Sequence, residues 1–265
     1  MEHANGDLIT LILAAGKGTR MHSDLAKVLH RINGRPMIHY VLDTVRALRP
    51  RRIIVIVGHQ AGAVRRELAG LDGLPGLPGP PAEFAVQEEQ LGTGHAVRQA
   101  EPLLAGESGV VLVLAGDTPL IRPATLSSLI DAHRRDSAAA SVLTARVDDP
   151  TGLGRILRDG QGRIDRIVEE KDATGEQRAL KEINTSTYCF EPALLLRALD
   201  RLTPENRQGE YYLTDTIEIL RREGHRIADA PAGMPEETMG INTPEQLSAA
   251  ESWLLERDRA RPPDS

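Results

Sequence analysis

The chain has 265 residues, a formal net charge of −6, 26% charged residues and 40% hydrophobic residues from which to build a core. That profile belongs to a folded globular protein of one or two domains and excludes collagen-like repetition, a membrane-spanning bundle and a disordered chain. With two Phe, four Tyr and one Trp, the core must rest on Leu, Ile, Val and Ala, and neither aromatic base-stacking platforms nor, at this acidity, phosphate-backbone binding is expected: no nucleic-acid partner.

In chain order, MEHANGD lacks the basic n-region of a secretory signal and leads into an apolar stretch too short to span a bilayer, so no membrane partner and a cytoplasmic location are expected. Strands are predicted at 8–14, 52–57, 83–87, 110–115 and 141–147, with helices between them at 37–48, 61–68, 94–104 and 123–135. This alternation predicts an α/β, doubly wound, mostly parallel sheet. The run GLDGLPGLPGPP (70–81) reads as an exposed loop. After Pro150 the texture becomes β-rich: two strands turn at Asp159-Gly160-Gln161-Gly162 and a further strand covers 182–190. Helices at 192–202 and 211–223, a short strand at 225–230, a helix at 243–259 and a frayed tail complete the chain. The lone Cys189, in an apolar run, reads as a buried structural thiol.

The densest chemical signal is LILAAGKGTRMHSDLAK (11–27), where a buried strand runs into a loop with Gly16, Gly18, Lys17, Arg20 and Lys27. Glycines let backbone N–H groups approach phosphate oxygens, and the cations neutralise a triphosphate; the other reading is a tight strand-to-helix connection with solvated cations. It matches neither a Walker A loop, since Gly18 follows Lys17, nor a dinucleotide fingerprint, since Met21 occupies the third small-residue position. After the third strand, QEEQLGTGH offers Gln87 to read a pyrimidine edge, with Gly92 and Thr93 allowing close approach, or forms a capping turn. His95 reads as a polar residue in the first helical turn. After the fourth strand, Ala115-Gly116-Asp117-Thr118-Pro119 puts a carboxylate at a strand end, suited to Mg²⁺ beside substrate phosphates or to a helix cap.

Taken with KVLH and GRPM, EQLGTGHA, GLGRI, IVEEKDAT, EIN before YCF, YYLTD and the late GIN, these segments resemble the sugar-phosphate nucleotidyltransferases. The likeness is greatest to the uridylyltransferase half of the bifunctional family that makes UDP-N-acetylglucosamine in bacteria. The resemblance implies that Leu13, Ala14, Ala15, Gly16, Ala115 and Gly116 contact the nucleotide and that Arg20 and Lys27 stabilise charge on the reacting phosphates. It further implies that Gln87, Gly92 and Thr93 recognise uracil, that Asp117 and Asn242 bind Mg²⁺, and that Gly154, Glu169 and Asn184, with Asn242, hold the amino sugar in a β-rich lobe. UTP and N-acetylglucosamine 1-phosphate are the implied substrates. Another sugar 1-phosphate or dTTP is the alternative among enzymes, and a non-catalytic nucleotide-sugar sensor the alternative outside them.

The sequence departs from the family pattern at Ala26 (commonly Pro), at Ala115 (often aromatic) and at Ser186-Thr187 (a glycine-containing pair). The expected organisation is a nucleotidyltransferase domain over 1–242, with a nucleotide half to about 150 and a sugar-binding lobe beyond it, then a helix and tail over 243–265. No hexapeptide-repeat acetyltransferase domain is expected, and with it no trimer: a monomer or weak dimer is the expected state.

Overall fold

Short apolar runs separated by amphipathic stretches build this chain into a sheet with helices on both faces. The computed structural model describes residues 7–71 and 79–260; the opening residues, most of the Pro- and Gly-rich 70–81 run and the 261–265 tail lie outside them. In chain order the elements are β1 (Leu8–Ala14), β2 (Arg31–Ile32), β3 (Arg35–Pro36), α1 (Met37–Ala47), β4 (Arg52–Val57), α2 (Ala61–Ala69) and β5 (Ala82–Val86). There follow α3 (Thr93–Arg98), α4 (Glu101–Leu104), β6 (Val110–Ala115), α5 (Pro123–Arg135), β7 (Ala140–Arg146), β8 (Gly154–Arg158) and β9 (Ile164–Val168). The chain continues through α6 (Gly175–Arg178), β10 (Glu182–Phe190), α7 (Pro192–Leu199), α8 (Asp215–Arg222), β11 (Ile227–Pro231) and α9 (Pro244–Ala260).

The main sheet runs β11-β7-β10-β6-β1-β4-β5, with β8 and β9 attached beside β10. β5, β4, β1 and β6 are parallel, and β10 enters antiparallel between β6 and β7. Strands covered on both faces need side chains that are apolar in both directions, which is why β1, β4 and β6 are dominated by Leu, Ile and Val, with the buried Thr10 the one polar residue within β1. Ile12, Val55 and Leu112 point into one core with α1, α2 and α5, whereas Leu11, Ile54 and Val113 point into the other with α3, α7 and α8. A smaller apolar cluster around Ile32, Met37, Ile241 and Leu254 docks α9 against the β2–β3 hairpin.

Two differences from the predicted elements have local causes. The helix expected over 94–104 is two helices, α3 and α4, because Pro102 has no N–H to bond the carbonyl one turn back. The strand expected over 182–190 is present, but it pairs with three strands, sharing one edge between β6 and β8. Tyr188–Phe190 pair with β6, Ile183 and Asn184 pair with β8, and the register against β7 slips between Asn184 and Tyr188. Ser186 sits in that bulge in the left-handed conformation (φ 58°). The β-rich lobe is therefore an extension of the main sheet, turned out where β10 bulges.

Candidate active site

Parallel strands end together, so the loops after β1, β5 and β6 share one edge of the sheet, where open α/β sheets bind ligands. A cleft of about 490 Å³ opens there. Leu13, Ala14, Ala15 and Gly16 from the end of β1 line it, as do Arg20, Lys27, Ala115 and Asp117. The loop folds back tightly: Gly18 is left-handed (φ 64°), and a Cβ there would stand 2.7 Å from the Cβ of Lys27. Arg20 and Lys27 are thus turned into the cleft, whereas Lys17 is exposed and lines none of it. Ala26 uses an N–H that a proline would lack, donating to Gln60 Oε1 at 3.1 Å.

Three distant segments meet at the mouth. Lys27 Nζ donates to Asn242 Oδ1 at 2.6 Å and ion-pairs with Asp117, and Arg20 donates to the same Asn242 oxygen at 2.8 Å. The backbone fixes the pairing, since Ile241 N–H donates to the Asp117 carbonyl at 2.9 Å. Asn242 is held further by its own N–H to Gln246 Oε1 at 2.7 Å and by its amide to the Gly240 carbonyl at 3.1 Å. One ammonium reaches both the Asp117 carboxylate and the Asn242 oxygen, so one small cation can do the same. A carboxylate and an amide oxygen are hard donors, and Mg²⁺ takes one or two such ligands and completes its shell with water and phosphate oxygens. The donor set fits that ion. Gly116 lies buried behind the cleft rather than on its lining, its N–H donating to the Leu13 carbonyl at 2.8 Å.

Gln87, Gly92 and Thr93, from the loop after β5, also line the cleft. Gly92 has φ 108° and would bring a Cβ to 2.6 Å from the Tyr211 carbonyl, so only glycine lets this loop lie against the 210–214 segment. Thr93 Oγ1 accepts from Leu213 N–H at 3.0 Å, and Gln90 Nε2 donates to the Ala15 carbonyl at 2.7 Å, tying the loop to the end of β1.

A second recess of about 160 Å³ adjoins the first through Leu13, Thr93, Ser186 and Glu210, and Glu169 lines it. Asn184 is buried at the boundary: its amide donates to Tyr188 Oη at 2.7 Å and its Oδ1 accepts from Ser186 N–H at 3.2 Å. Gly154 lines neither space but packs beneath both residues, where a Cβ would lie 3.5 Å from Asn184 Cβ and 3.6 Å from Glu169 Oε2. Burial pushes the Glu169 carboxyl above the ordinary range, opposed by the hydroxyl of Thr214 at 3.0 Å and reinforced by Asp172 and Glu210. Burial, with Glu169 and Glu218 adding to it, raises Asp215 to about 6. Buried Cys189, its thiol pushed up by burial, lines neither space.

Sequence reasoning assigned no role to Gln90, Ser186, Glu210, Tyr212 or Met239, which also line these spaces. Tyr212 stands within YYLTD and Gln90 within EQLGTGHA, strings that carry part of the resemblance, and Ser186 stands in the departure beside Asn184, which were the available signals; Glu210 and Met239 follow only from how the loops meet. Among the described residues no helix is long and apolar enough to cross a membrane.

A sequence profile for the family described as MobA-like NTP transferase domain matches residues 10–215. The bifunctional protein GlmU of Pelotomaculum thermopropionicum is 50% identical over 95% of this chain and 53% of its own length. The bifunctional protein GlmU of Bacillus subtilis is 45% identical over 95% of this chain and 53% of its own length. The chain thus spans about half the length of the curated relatives it matches. A solved structure of UDP-glucose pyrophosphorylase complexed with UDP-glucose superposes with a TM-score of 0.75, covering 94% of this chain and 98% of that one at 16% identity, a likeness of fold.

Proposed function

The chain belongs to the MobA-like NTP transferase domain family and is a nucleotidyltransferase, and on that premise we propose that it transfers UMP from UTP to N-acetylglucosamine 1-phosphate, giving UDP-N-acetylglucosamine and pyrophosphate. The observation that carries this reading is the convergence of Arg20, Lys27, Asp117 and Asn242 on one cleft mouth. The resemblance of the loop motifs to the bacterial uridylyltransferases supplies the choice of base and sugar.

The reaction is a direct displacement. An anionic phosphate oxygen of the sugar 1-phosphate attacks the α-phosphorus of UTP; the new P–O bond forms as the bond to the bridging oxygen breaks, and that electron pair leaves on pyrophosphate. No proton needs to move and no enzyme nucleophile is required, so the protein's work is alignment of two polyanions and stabilisation of developing charge. Arg20 and Lys27 supply fixed positive charge at the phosphates, and the β1 loop offers backbone N–H groups around Gly16. Mg²⁺ bound by Asp117 and Asn242 would neutralise phosphate charge. Gln87, Gly92 and Thr93 orient the base, while Glu169, Asn184 and, from beneath, Gly154 shape the sugar recess. In this reading residues 1–242 are the catalytic unit, and α9 is a helix docked on its flank.

A pyrophosphate-release assay with UTP, Mg²⁺ and a panel of sugar 1-phosphates tests the proposal. Release is expected with N-acetylglucosamine 1-phosphate well above the other sugars. Absence of release with every pair would overturn the reading in favour of a nucleotide-sugar sensor.

A further inference from the structure

His95 lines neither space, yet it stands directly behind the residue that faces the base end of the cleft. Gln87 is 4% exposed, and its Nε2 has two acceptors within reach: the Gly92 carbonyl at 3.0 Å and His95 Nδ1 at 3.1 Å. A primary amide nitrogen carries two hydrogens, so both are used. Among the described residues Oε1 of Gln87 has no hydrogen-bond partner, and it is the acceptor end that remains for a ligand in the cleft.

The imidazole tautomer follows from the same contacts. His95 Nε2 lies 3.2 Å from Gln99 Nε2, which also donates to the His95 carbonyl at 3.1 Å. Two amide nitrogens cannot both donate to a neutral imidazole, which has a single lone-pair nitrogen. The Gly92 and His95 carbonyls can only accept, so each holds an amide nitrogen beside the ring, and burial decides between the two. Gln87 is 4% exposed and makes the shorter contact, whereas Gln99 is half-buried and can turn its second hydrogen to solvent, so the lone pair costs least to place at Nδ1. Gln99 keeps its carbonyl bond alone.

We infer that His95 is a positioning residue for base selection, its Nδ1 lone pair locking the Gln87 amide with the oxygen toward the base. Reversing the amide in the wild-type protein forfeits two hydrogen bonds and sets oxygen against two lone pairs. An amide held this way accepts from the N3–H of uracil. It meets the N3 lone pair of cytosine with a lone pair of its own, and it treats thymine, which carries the same N3–H, as it treats uracil. The inference rests on the proposed uridine-nucleotide reading of the cleft.

The test is the ratio of kcat/KM for UTP over CTP, measured with N-acetylglucosamine 1-phosphate and Mg²⁺. His95→Leu leaves only the Gly92 carbonyl to hold the amide, and the loss of one hydrogen bond should lower the ratio about three- to tenfold. The change should enter through KM for the nucleotide, with KM for the sugar phosphate unmoved. His95→Asn, whose Oδ1 stands near the place of Nδ1, should restore the wild-type ratio. A folded His95→Leu protein with the wild-type ratio would overturn the inference; should leucine unfold the chain, His95→Ala, suited to a helical position, takes its place. Gln87→Ala separates the two levels of argument. If it leaves the ratio unchanged, Gln87 does not face the base and the uridine reading fails; if it lowers the ratio while His95→Leu does not, only the positioning role fails.

Discussion

Lys27 and Asp117 face each other across the cleft mouth, and each is fixed by something other than the other: Lys27 by Asn242, Asp117 by the backbone of Ile241. Removing either side chain therefore removes charge without removing the scaffold. Lys27→Ala and Asp117→Ala are each expected to cut pyrophosphate release by about two orders of magnitude or more, while circular dichroism melts stay close to wild type. Near-normal turnover in either folded variant removes that residue from its proposed role. Gly92 is the opposite case, a residue whose side chain must be absent. Gly92→Ala forces a Cβ onto the Tyr211 carbonyl at a φ of 108°, so both a lower melting temperature and a raised KM for UTP are expected. The roles proposed for Gly16, Lys27 and Asp117 were legible because glycines, cations and a carboxylate stand at strand ends in the sequence itself. Asn242 was visible only through resemblance, because nothing local in GIN announces that Ile241 hydrogen-bonds to Asp117. His95 reads in the sequence as an ordinary polar residue of a first helical turn, since a tautomer imposed by neighbouring side chains leaves no mark in a linear pattern.

Among the elements, β1, β4 and β6 could be read directly, because burial on both faces leaves a predominantly aliphatic run. The position of β10 between β6 and β7 could not, because strand pairing is a property of distant segments. Its bulge was foreshadowed only by the departure at Ser186-Thr187. A non-glycine residue at φ 58° stores of the order of 1 kcal/mol. Ser186→Gly should accordingly raise stability by about 0.5–1 kcal/mol, read as an upward shift in the urea midpoint with an unchanged m-value. A lower midpoint would mean that the serine is satisfied by its surroundings rather than strained.

At the level of the whole molecule, a buried imidazole and a half-buried carboxyl are among the groups through which stability answers to pH, and they pull in opposite directions. His133, buried between α5 and β7 with Nδ1 2.9 Å from Ser141 Oγ, is held at about 4 by burial, with Arg134 adding to the effect. A histidine lowered on folding contributes stability that is fully present above its unfolded value near 6.5 and is lost as pH falls toward 4. Over that window the loss is on the order of 3 kcal/mol. Asp215, raised to about 6 from 3.8, contributes stability present below 3.8 and lost as pH rises through 6. A single unfolding curve therefore blends the two. The informative quantity is the difference between wild type and His133→Gln: close to constant above pH 7, it should move in the variant's favour by most of that amount by pH 4.5. A difference that stays flat would show that His133 is protonated with little penalty in the folded protein.

The insertion of β10 also sets the order in which the protein can be made. β6 and β7 share no ladder; each is bonded to β10, which comes later in the chain than either. As synthesis proceeds from the N-terminus, β1, β4, β5 and β6 can assemble into a parallel half-sheet, but β6 keeps an open edge until residue 190 has left the ribosome. That edge is the aliphatic run Val110–Ala115, the kind of unpaired strand that recruits other chains. The nascent protein is thus most exposed to aggregation during the interval that separates β6 from β10, after the edge of the cleft built by β1, β5 and β6 has taken shape and before the sheet beneath it is closed.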